Sequence, residues 1–596
     1  MIADMRATAV LVLLVSVMVA QSVRNGAGSP NDWEDWDQYL ALEEGPVPGI
    51  LPGLLPKPEL QSGKAMIAGA SNPFAVHAGL EVLKRGGSAA DAVLTTALTQ
   101  IALNAGATVS YAGILTAVYY DVKSGKVYSL NASWNRPRNE TDPLSIPSQG
   151  TASGRSALVP GFMAGVQALH ERFGRRPFAE LFEPAIWLAE HGFPLPRVVA
   201  AWRHSQATSI ERLEETRRVF QKEDGSYYND GDNFRQPELA GTLRQIANQG
   251  ATYFYEREWA HHFVDAVRRE GGKVTLEDLG SYRVVWSEPT RAIYHGFEVT
   301  SLGAPSLGGS ETLSGLLLWE HANMSKRGDY SHSADALYAL IQIAKLEASL
   351  SLNSEDDLRK VFPGLDLSAS ARLSPATTNR LATILRNKNW FTNLLRGKPA
   401  LPPNHSSSVV AVDDQGNVAA LLHSCNCGLW GTTGLFVDGI SIPDPAAFQQ
   451  AAVARTEPGG RLPDSTNPVI VLKDNRPVLA SSAVGSGLQE VTLQNLINVL
   501  DLGLDPQAAV NRPNFLGPFL GITTNGSPKP ELTEEVLDRG FPPSVVKGLK
   551  RRGQDVYAGL DGGAQSGYWI GIQIDPKGKA LWGGATRRLN SFVEGY

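Results

Sequence analysis

The sequence predicts an α+β protein in which helices cover two stacked sheets, an αββα sandwich of four layers. Three observations carry this. Alternating apolar strands come in pairs joined by turn residues: "SSVVAVDDQGNVAALLHS" around Asp413-Asp414-Gln415-Gly416-Asn417, and "PVIVLKDNRPVLASSAVG" around Asp474-Asn475. Segments with helical spacing flank them, among them "GLQEVTLQNLINVLDLG". The chain has 596 residues, 42% of them hydrophobic, enough for a core larger than one typical domain needs.

In chain order, Arg6 precedes the apolar run Ala7 to Ala20, and the small residues Ala27, Gly28 and Ser29 follow. This predicts a secretory signal over 1–28, too short for a stable membrane span, and a secreted, periplasmic or extracellular protein. Residues 29–62, rich in Trp, acids and Pro, read as a surface arm or linker. From Ala65 an α/β rhythm begins: a strand "AMIAGAS", a helix "NPFAVHAGLEVLKRGG" with Lys84 and Arg85 before its Gly stop, and "AADAVLTTALTQIALN", apolar nearly all round and so a buried helix. "ILTAVYYDVKSGKVYSLNAS" reads as a hairpin turning at Lys123-Ser124-Gly125. Residues 155–280 read as mostly helical, "YRVVWSEPTRAIYHGFEVTSLG" returns to strands, and "SADALYALIQIAKLEASLSL" is a helix. Residues 351–403 are polar and irregular, as an exposed loop would be.

Composition excludes several classes. The net charge is −6 with no basic stripe, which argues against a nucleic-acid partner. Cys425 and Cys427 flank Asn426 with no further Cys or His at ligand spacing, which argues against a metal. A bridge between them would close a small strained ring, so they read as two packed residues. The glycine runs lack the Lys-Ser/Thr of a phosphate loop. That leaves "NHSSSVV", Asn404 to Val410, three hydroxyls at a strand entry. They read either as a local turn or as a nucleophile in need of a base. His405 and His423 suggest a Ser–His pair, but His423 should face away from Ser424 because neighbouring strand residues point oppositely.

Five segments in order supply a resemblance. "GLEVLKRGGSAADAVLTTAL", "LVPGFMAGVQALHERFG", "GGKVTLEDLGSYRVVWSEPTRAIYHGFEV", "DDQGNVAALLHSCN" and "NPVIVLKDNRPVLASSAVGS" resemble the γ-glutamyltransferases, or glutathione hydrolases, across residues 63–596. That family consists of N-terminal nucleophile hydrolases that cut themselves into two subunits. The resemblance implies that fold, a large subunit 63–405, a small catalytic subunit 406–596 and cleavage between His405 and Ser406. It makes Ser406 the nucleophile, with its freed α-amine as base. Ser424 matches the family's Thr that bonds the nucleophile, and Asn426 its substrate-binding Asn. Val484-Gly485 match the Gly-Gly pair of oxyanion donors. The α-carboxylate clamp maps to Arg136 or Arg138, with Arg138 favoured because "RNETDP" begins there. The family's paired serines become Asp464-Ser465, and its amine-binding "NNxMDDF" becomes "DGISIPDPAAF", which offers Asp438 and Asp444. The implied partners are a γ-glutamyl or related amide and water or an amine acceptor, with no cofactor or metal. The alternatives are an acylase of the same family with another substrate and a non-catalytic homologue.

Overall fold

A computed structural model describes residues 36–43, 57–322, 328–352, 358–360, 362–385, 406–485, 487–515, 519–522, 528–533, 536–537, 540–554, 557–558, 567–577, 580–586 and 590–596. The predicted signal 1–28, the rest of the arm and His405 lie outside them.

The elements that frame the site are helices α1 (Trp36–Glu43), α2 (Pro73–Lys84), α3 (Ala89–Leu103), α4 (Gly308–His321), α5 (Ala334–Leu352) and α6 (Leu488–Leu500). The strands are β1 (Gln61–Ser62), β2 (Met66–Gly69), β3 (Ile114–Asp121), β4 (Lys126–Ala132), β5 (Val285–Ser287), β6 (Thr290–Tyr294), β7 (Phe297–Ser301), β8 (Ser406–Val412), β9 (Val418–Ser424), β10 (Val469–Lys473), β11 (Arg476–Val484), β12 (Tyr568–Ile574), β13 (Leu581–Ala585) and β14 (Phe592–Gly595). They form two seven-stranded sheets, ordered β14-β2-β8-β9-β3-β4-β5 and β1-β13-β12-β11-β10-β7-β6.

Strand alternation builds the layers. Val410, Val412, Val418, Ala420 and Leu422 of the first sheet meet Ile470, Leu472, Ala480, Ile570 and Ile572 of the second in a core between the sheets. Each such side chain contributes about 1.5–3 kcal/mol when fully buried. Val409, Ala411, Ala419 and Leu421 point the other way, into the cluster with α2 and α3. Val469, Val471, Leu479 and Ala483 pack with α4, α5 and α6 on the outer face of the second sheet. The arrangement is the expected αββα sandwich. Both sheets interleave strands from before and after Ser406, so a cut there would leave two chains joined by complete ladders.

The β8–β9 turn is fixed by Asp413. Its Oδ1 accepts from the N–H groups of Gln415 and Asn417 at 3.0 and 2.9 Å, and its Oδ2 accepts from Ala89 N and Arg175 Nη2 at 3.1 and 2.8 Å. The carboxylate thus locks the hairpin to the start of α3, whose N-cap Ser88 forms a reciprocal capping box with Asp91.

Three expectations are corrected. The segment 29–62 is not a surface arm over 36–43, although residues 57–61 are exposed. Tyr39 and Leu40 of α1 are buried in the core, Tyr39 stacks on His77 with ring centroids 3.9 Å apart, and its hydroxyl donates to Glu594 of β14. Acids and prolines around a short helix masked its apolar face. Within 351–403, Ala369–Arg372 and Pro375–Leu385 are helical, with Arg372 and Leu381 buried. Cys425 and Cys427 are bridged, with Cα atoms 5.2 Å apart; the chain bends at Asn426, whose φ is +46°, and brings the two together.

Candidate active site

In the β8–β9 ladder Ser406 stands opposite Ser424, and Ser424 stands opposite Ile114 on β3. Alternation places Ser406, Ser408 and Ser424 on the face between the sheets, with Val410 and Leu422. Ser406 Oγ donates to Ser424 Oγ at 2.9 Å. Ser424 Oγ donates to Asn426 Oδ1 and accepts from Asn426 N–H, both at 2.9 Å. The positive φ of Asn426 turns its main-chain N–H back onto that hydroxyl, a conformation Asn tolerates better than most residues. The Ser406 proton is thereby engaged by Ser424, and the oxygen's lone pairs are left for a base or for attack.

Across the gap, Val484 ends β11 opposite Tyr568. Val484 is buried in the inter-sheet core, and the positive φ of this bend, +96°, falls on Gly485. The β-branched residue therefore keeps strand geometry, and the residue that tolerates a left-handed backbone makes the turn toward α6.

The alternate residues build a second polar network on the helix face. His423 Nε2 meets Gln100 Oε1 at 2.8 Å, and Gln100 Nε2 donates to Ser71 O at 2.9 Å. Because the Gln100 amide donates to Ser71, its oxygen accepts, and His423 carries its proton on Nε2. Burial pushes the His423 imidazole down to about 3, so the ring is neutral. Ser407 Oγ lies 3.0 Å from Ser71 Oγ, Ser71 Oγ donates to Asn72 Oδ1 at 2.8 Å, and Asn72 Nδ2 donates to Glu43 Oε2 at 2.8 Å. Glu43 Oε1 accepts from Phe74 N at 2.9 Å. Burial pushes the Glu43 carboxyl up to about 7, with the Asn72 and Phe74 bonds opposing it. His423 faces away from Ser424, as alternation requires, and does not pair with it; His405 lies outside the described residues. Sequence reasoning missed Glu43, Ser71, Asn72 and Gln100. The signal available was the polar stripe of Thr95, Thr96, Thr99 and Gln100 in an otherwise apolar helix.

The candidate substrate residues are occupied by internal partners. Arg136 is buried and donates to the main-chain oxygens of Val453, Thr456 and Glu140 at 3.2, 2.6 and 2.6 Å. Arg138 pairs with Asp278 at 3.1 Å and donates to Ser281 Oγ at 2.8 Å. Asp464 is buried; it accepts from Asn131 Nδ2 at 2.6 Å, Ser306 Oγ at 3.0 Å and Thr466 N at 3.1 Å, and also from Thr466 Oγ1. Burial pushes its carboxyl above the ordinary range, against those bonds. Ser465 is exposed, and its main-chain oxygen accepts from Gln489. Asp438 pairs with His262 at 2.8 Å near the surface, and buried Asp444 accepts from Thr432 N at 2.7 Å. Arg461, which sequence reasoning missed, donates to Asn135 Oδ1, Asn131 Oδ1 and Arg283 O at 2.6, 2.7 and 2.6 Å.

Residues 75–596 match the model of the gamma-glutamyltranspeptidase family. The chain belongs to that family. It is 26% identical over 553 residues to the glutathione hydrolase proenzyme of Escherichia coli K12, covering 88% of this chain and 90% of that one. It is 25% identical over 543 residues to the acylase ACY 1 proenzyme of Pseudomonas sp. SE83, covering 86% and 90%. In three dimensions it matches the crystal structure of cephalosporin acylase from Bacillus halodurans with a TM-score of 0.72 and 23% identity, over 92% of this chain and 100% of that one. The γ-glutamyltranspeptidase match makes this chain an enzyme of the γ-glutamyltransferase and glutathione hydrolase type, and the likeness in fold extends to the whole sandwich.

Proposed function

We propose that this family member is a secreted, self-processing amide hydrolase and acyl transferase with Ser406 as its nucleophile. The chain cuts itself between His405 and Ser406. The bared α-amine, with an ordinary pKa of about 7.7–8.0, then supplies the base that a serine hydroxyl lacks. Ser406 Oγ attacks the amide carbon and its proton passes to the α-amine. The main-chain N–H groups at Val484-Gly485 hold the oxyanion. The tetrahedral adduct expels the amine, which takes the proton, and leaves an ester on Ser406. Water or an acceptor amine resolves the ester, and these steps use protein groups alone.

The observation that carries this reading is the 2.9 Å bond from Ser406 Oγ to Ser424 Oγ at the first described residue of β8, with Asn426 closing on the same hydroxyl. The names of the relatives support γ-glutamyl amides of the glutathione kind as the starting substrate class. The internal commitments of Arg136, Arg138 and Asp464 support a second reading, an acylase with the same chemistry and a different acyl group. Denaturing electrophoresis and N-terminal sequencing test the core of the proposal. The purified protein should give two fragments, the smaller beginning at Ser406, and Ser406→Ala should stay whole. A wild-type chain that remains intact refutes it.

A further inference from the structure

The chain has two cysteines, and both sit beside the reactive hydroxyl pair. Cys425 and Cys427 are buried, bridged, and separated only by Asn426, the residue that closes on Ser424. In an extended strand, residues two apart stand about 6.4–6.8 Å from each other. A bridge needs Cβ atoms about 3.5–4.5 Å apart, so it excludes an extended chain through 425–427. The structure holds the bent alternative, with Cα atoms 5.2 Å apart and a φ of +46° at Asn426.

The place of the bend gives it a bearing on the site. Ser424 pairs with Ser406 on one side and with Ile114, the first residue of β3, on the other, and the ladders that fix β9 end there. The chain is held again at Trp430, whose N–H donates to Ala107 O at 2.9 Å and whose indole donates to Ala105 O at 2.7 Å. Between these anchors the bridge closes a ring around Asn426. The bend turns both polar groups of Asn426 onto one hydroxyl: its N–H donates to Ser424 Oγ and its Oδ1 accepts from it, each at 2.9 Å. A serine has one proton to give. Because Ser424 gives it to Asn426, its oxygen accepts the Ser406 proton at 2.9 Å. An extended chain would carry the Asn426 N–H out of reach. Nothing in this trio would then keep the Ser424 proton off Ser406 Oγ, the atom that has to attack.

We propose that the Cys425–Cys427 bridge is a positioning pair for the reaction: it holds Asn426 in the bend that keeps Ser424 an acceptor for the Ser406 proton, so that opening the bridge slows acylation while the sandwich stays folded. This rests on the Ser406 reading and adds a redox-sensitive pair to it.

The test opens the bridge in the full processed protein with tris(2-carboxyethyl)phosphine. The S–S bond breaks, water gives its two protons to the thiolates and its oxygen to phosphorus, and the phosphine leaves as its oxide. The chain holds no other cysteine, so alkylation of two thiols in an aliquot reports the opening. After desalting, acylation by the p-nitrophenyl ester of pentanoic acid is read by the mass gained on the peptide that begins at Ser406. Opening should slow acylation at least about tenfold, with the melting midpoint within a few degrees of the oxidised protein. Closure by diamide, which takes the two thiol hydrogens onto its N=N bond, should restore the rate. In processed Ser424→Ala the same opening should change the rate by less than about threefold, since a bridge that acts through Ser424 has nothing to act through there. An opened bridge with an unchanged rate overturns the proposal, as does equal slowing in wild type and Ser424→Ala. If the phosphine leaves the bridge closed or unfolds the chain, Cys425→Ala with Cys427→Ala is read in the same way, and a double variant that fails to reach the processed fold also overturns it. Oxidised wild type that gains no acyl mass at Ser406 sinks the Ser406 reading itself, whereas acylation indifferent to the bridge sinks the bridge's role alone.

Discussion

Replacing Ser424 by Ala removes a hydroxyl that, among the described residues, makes hydrogen bonds at 2.9 Å from Ser406 Oγ, from Asn426 N–H and to Asn426 Oδ1. Two consequences separate cleanly. Asn426 N–H, part-buried just past the end of β9, loses its acceptor, which costs at most about 1–3 kcal/mol of stability. Ser406 loses the partner that fixes its hydroxyl, and misplacing an attacking oxygen by an ångström costs about 100-fold in rate. That fold-change corresponds to about 2.7 kcal/mol of barrier. The assay is stopped-flow acylation by the p-nitrophenyl ester of pentanoic acid at saturating concentration, read by p-nitrophenolate release, alongside the half-time of self-cleavage. Ser424→Ala should slow acylation about 100-fold, while the processed fraction, once formed, keeps the wild-type melting profile to within a few degrees. Ser424→Thr keeps the hydroxyl on the same strand face and should restore the rate. If Ser424→Ala acylates within about threefold of wild type, the hydroxyl pair does not position the nucleophile and the assignment of this face fails.

Two further outcomes follow from the layers around the site. His423 is neutral in the fold with a pKa near 3, against an ordinary 6.5 in the unfolded chain. The unfolded chain therefore binds the extra proton first, and stability is full above pH 6.5 and lost as pH falls toward 3. At pH 5 the loss is about 2 kcal/mol, which urea unfolding at pH 7.5 and 5.0 should detect in the unprocessed Ser406→Ala chain and find missing in Ser406→Ala with His423→Gln. Removing 1–43 strips the buried Tyr39 from His77 and Phe592 and the buried Leu40 from the core, and should cost about 3–6 kcal/mol, read as a lower midpoint in thermal unfolding.

Local patterns in the sequence carried the sandwich because period-2 alternation is a property of neighbours. From Ser406 to Ser424 each residue's face follows from its parity, so the opposition of Ser406 and Ser424 and the outward turn of His423 were legible in the sequence itself. The rest depends on contacts across long separations. The burial of Tyr39 needs His77 and Glu594, and the proton of His423 is placed by Gln100 more than 300 residues earlier. Arg461 carries no local mark; only the fold brings Asn131, Asn135 and Arg283 around it. Asn131 shows the same limit: a glycosylation sequon in the sequence, it is fully buried on β4. Cys425 and Cys427 misled because spacing alone says nothing of a bend, and the left-handed Asn426 between them supplies one.

The two central strands divide their labour by parity. Residues 406 and 424 face the gap between the sheets, where the proposed attack on the amide takes place. Residues 407 and 423 face the helices, where Ser71, Gln100 and Asn72 hold the backbone that carries the reactive pair. A self-cutting enzyme needs this division, because its nucleophile becomes a chain terminus, the position most prone to fray. If the 405–406 bond is cut as proposed, nothing covalent precedes Ser406, and its position then depends on the ladder to β9 and on Ser407 one residue inward. Loss of the Ser407–Ser71 contact should therefore matter more after cleavage than before it. Ser407→Ala should process at a near-normal rate and then acylate slowly, whereas Ser424→Ala should impair both steps. Equal impairment of the two steps by Ser407→Ala would show that the outer network serves the precursor and does nothing for the mature terminus.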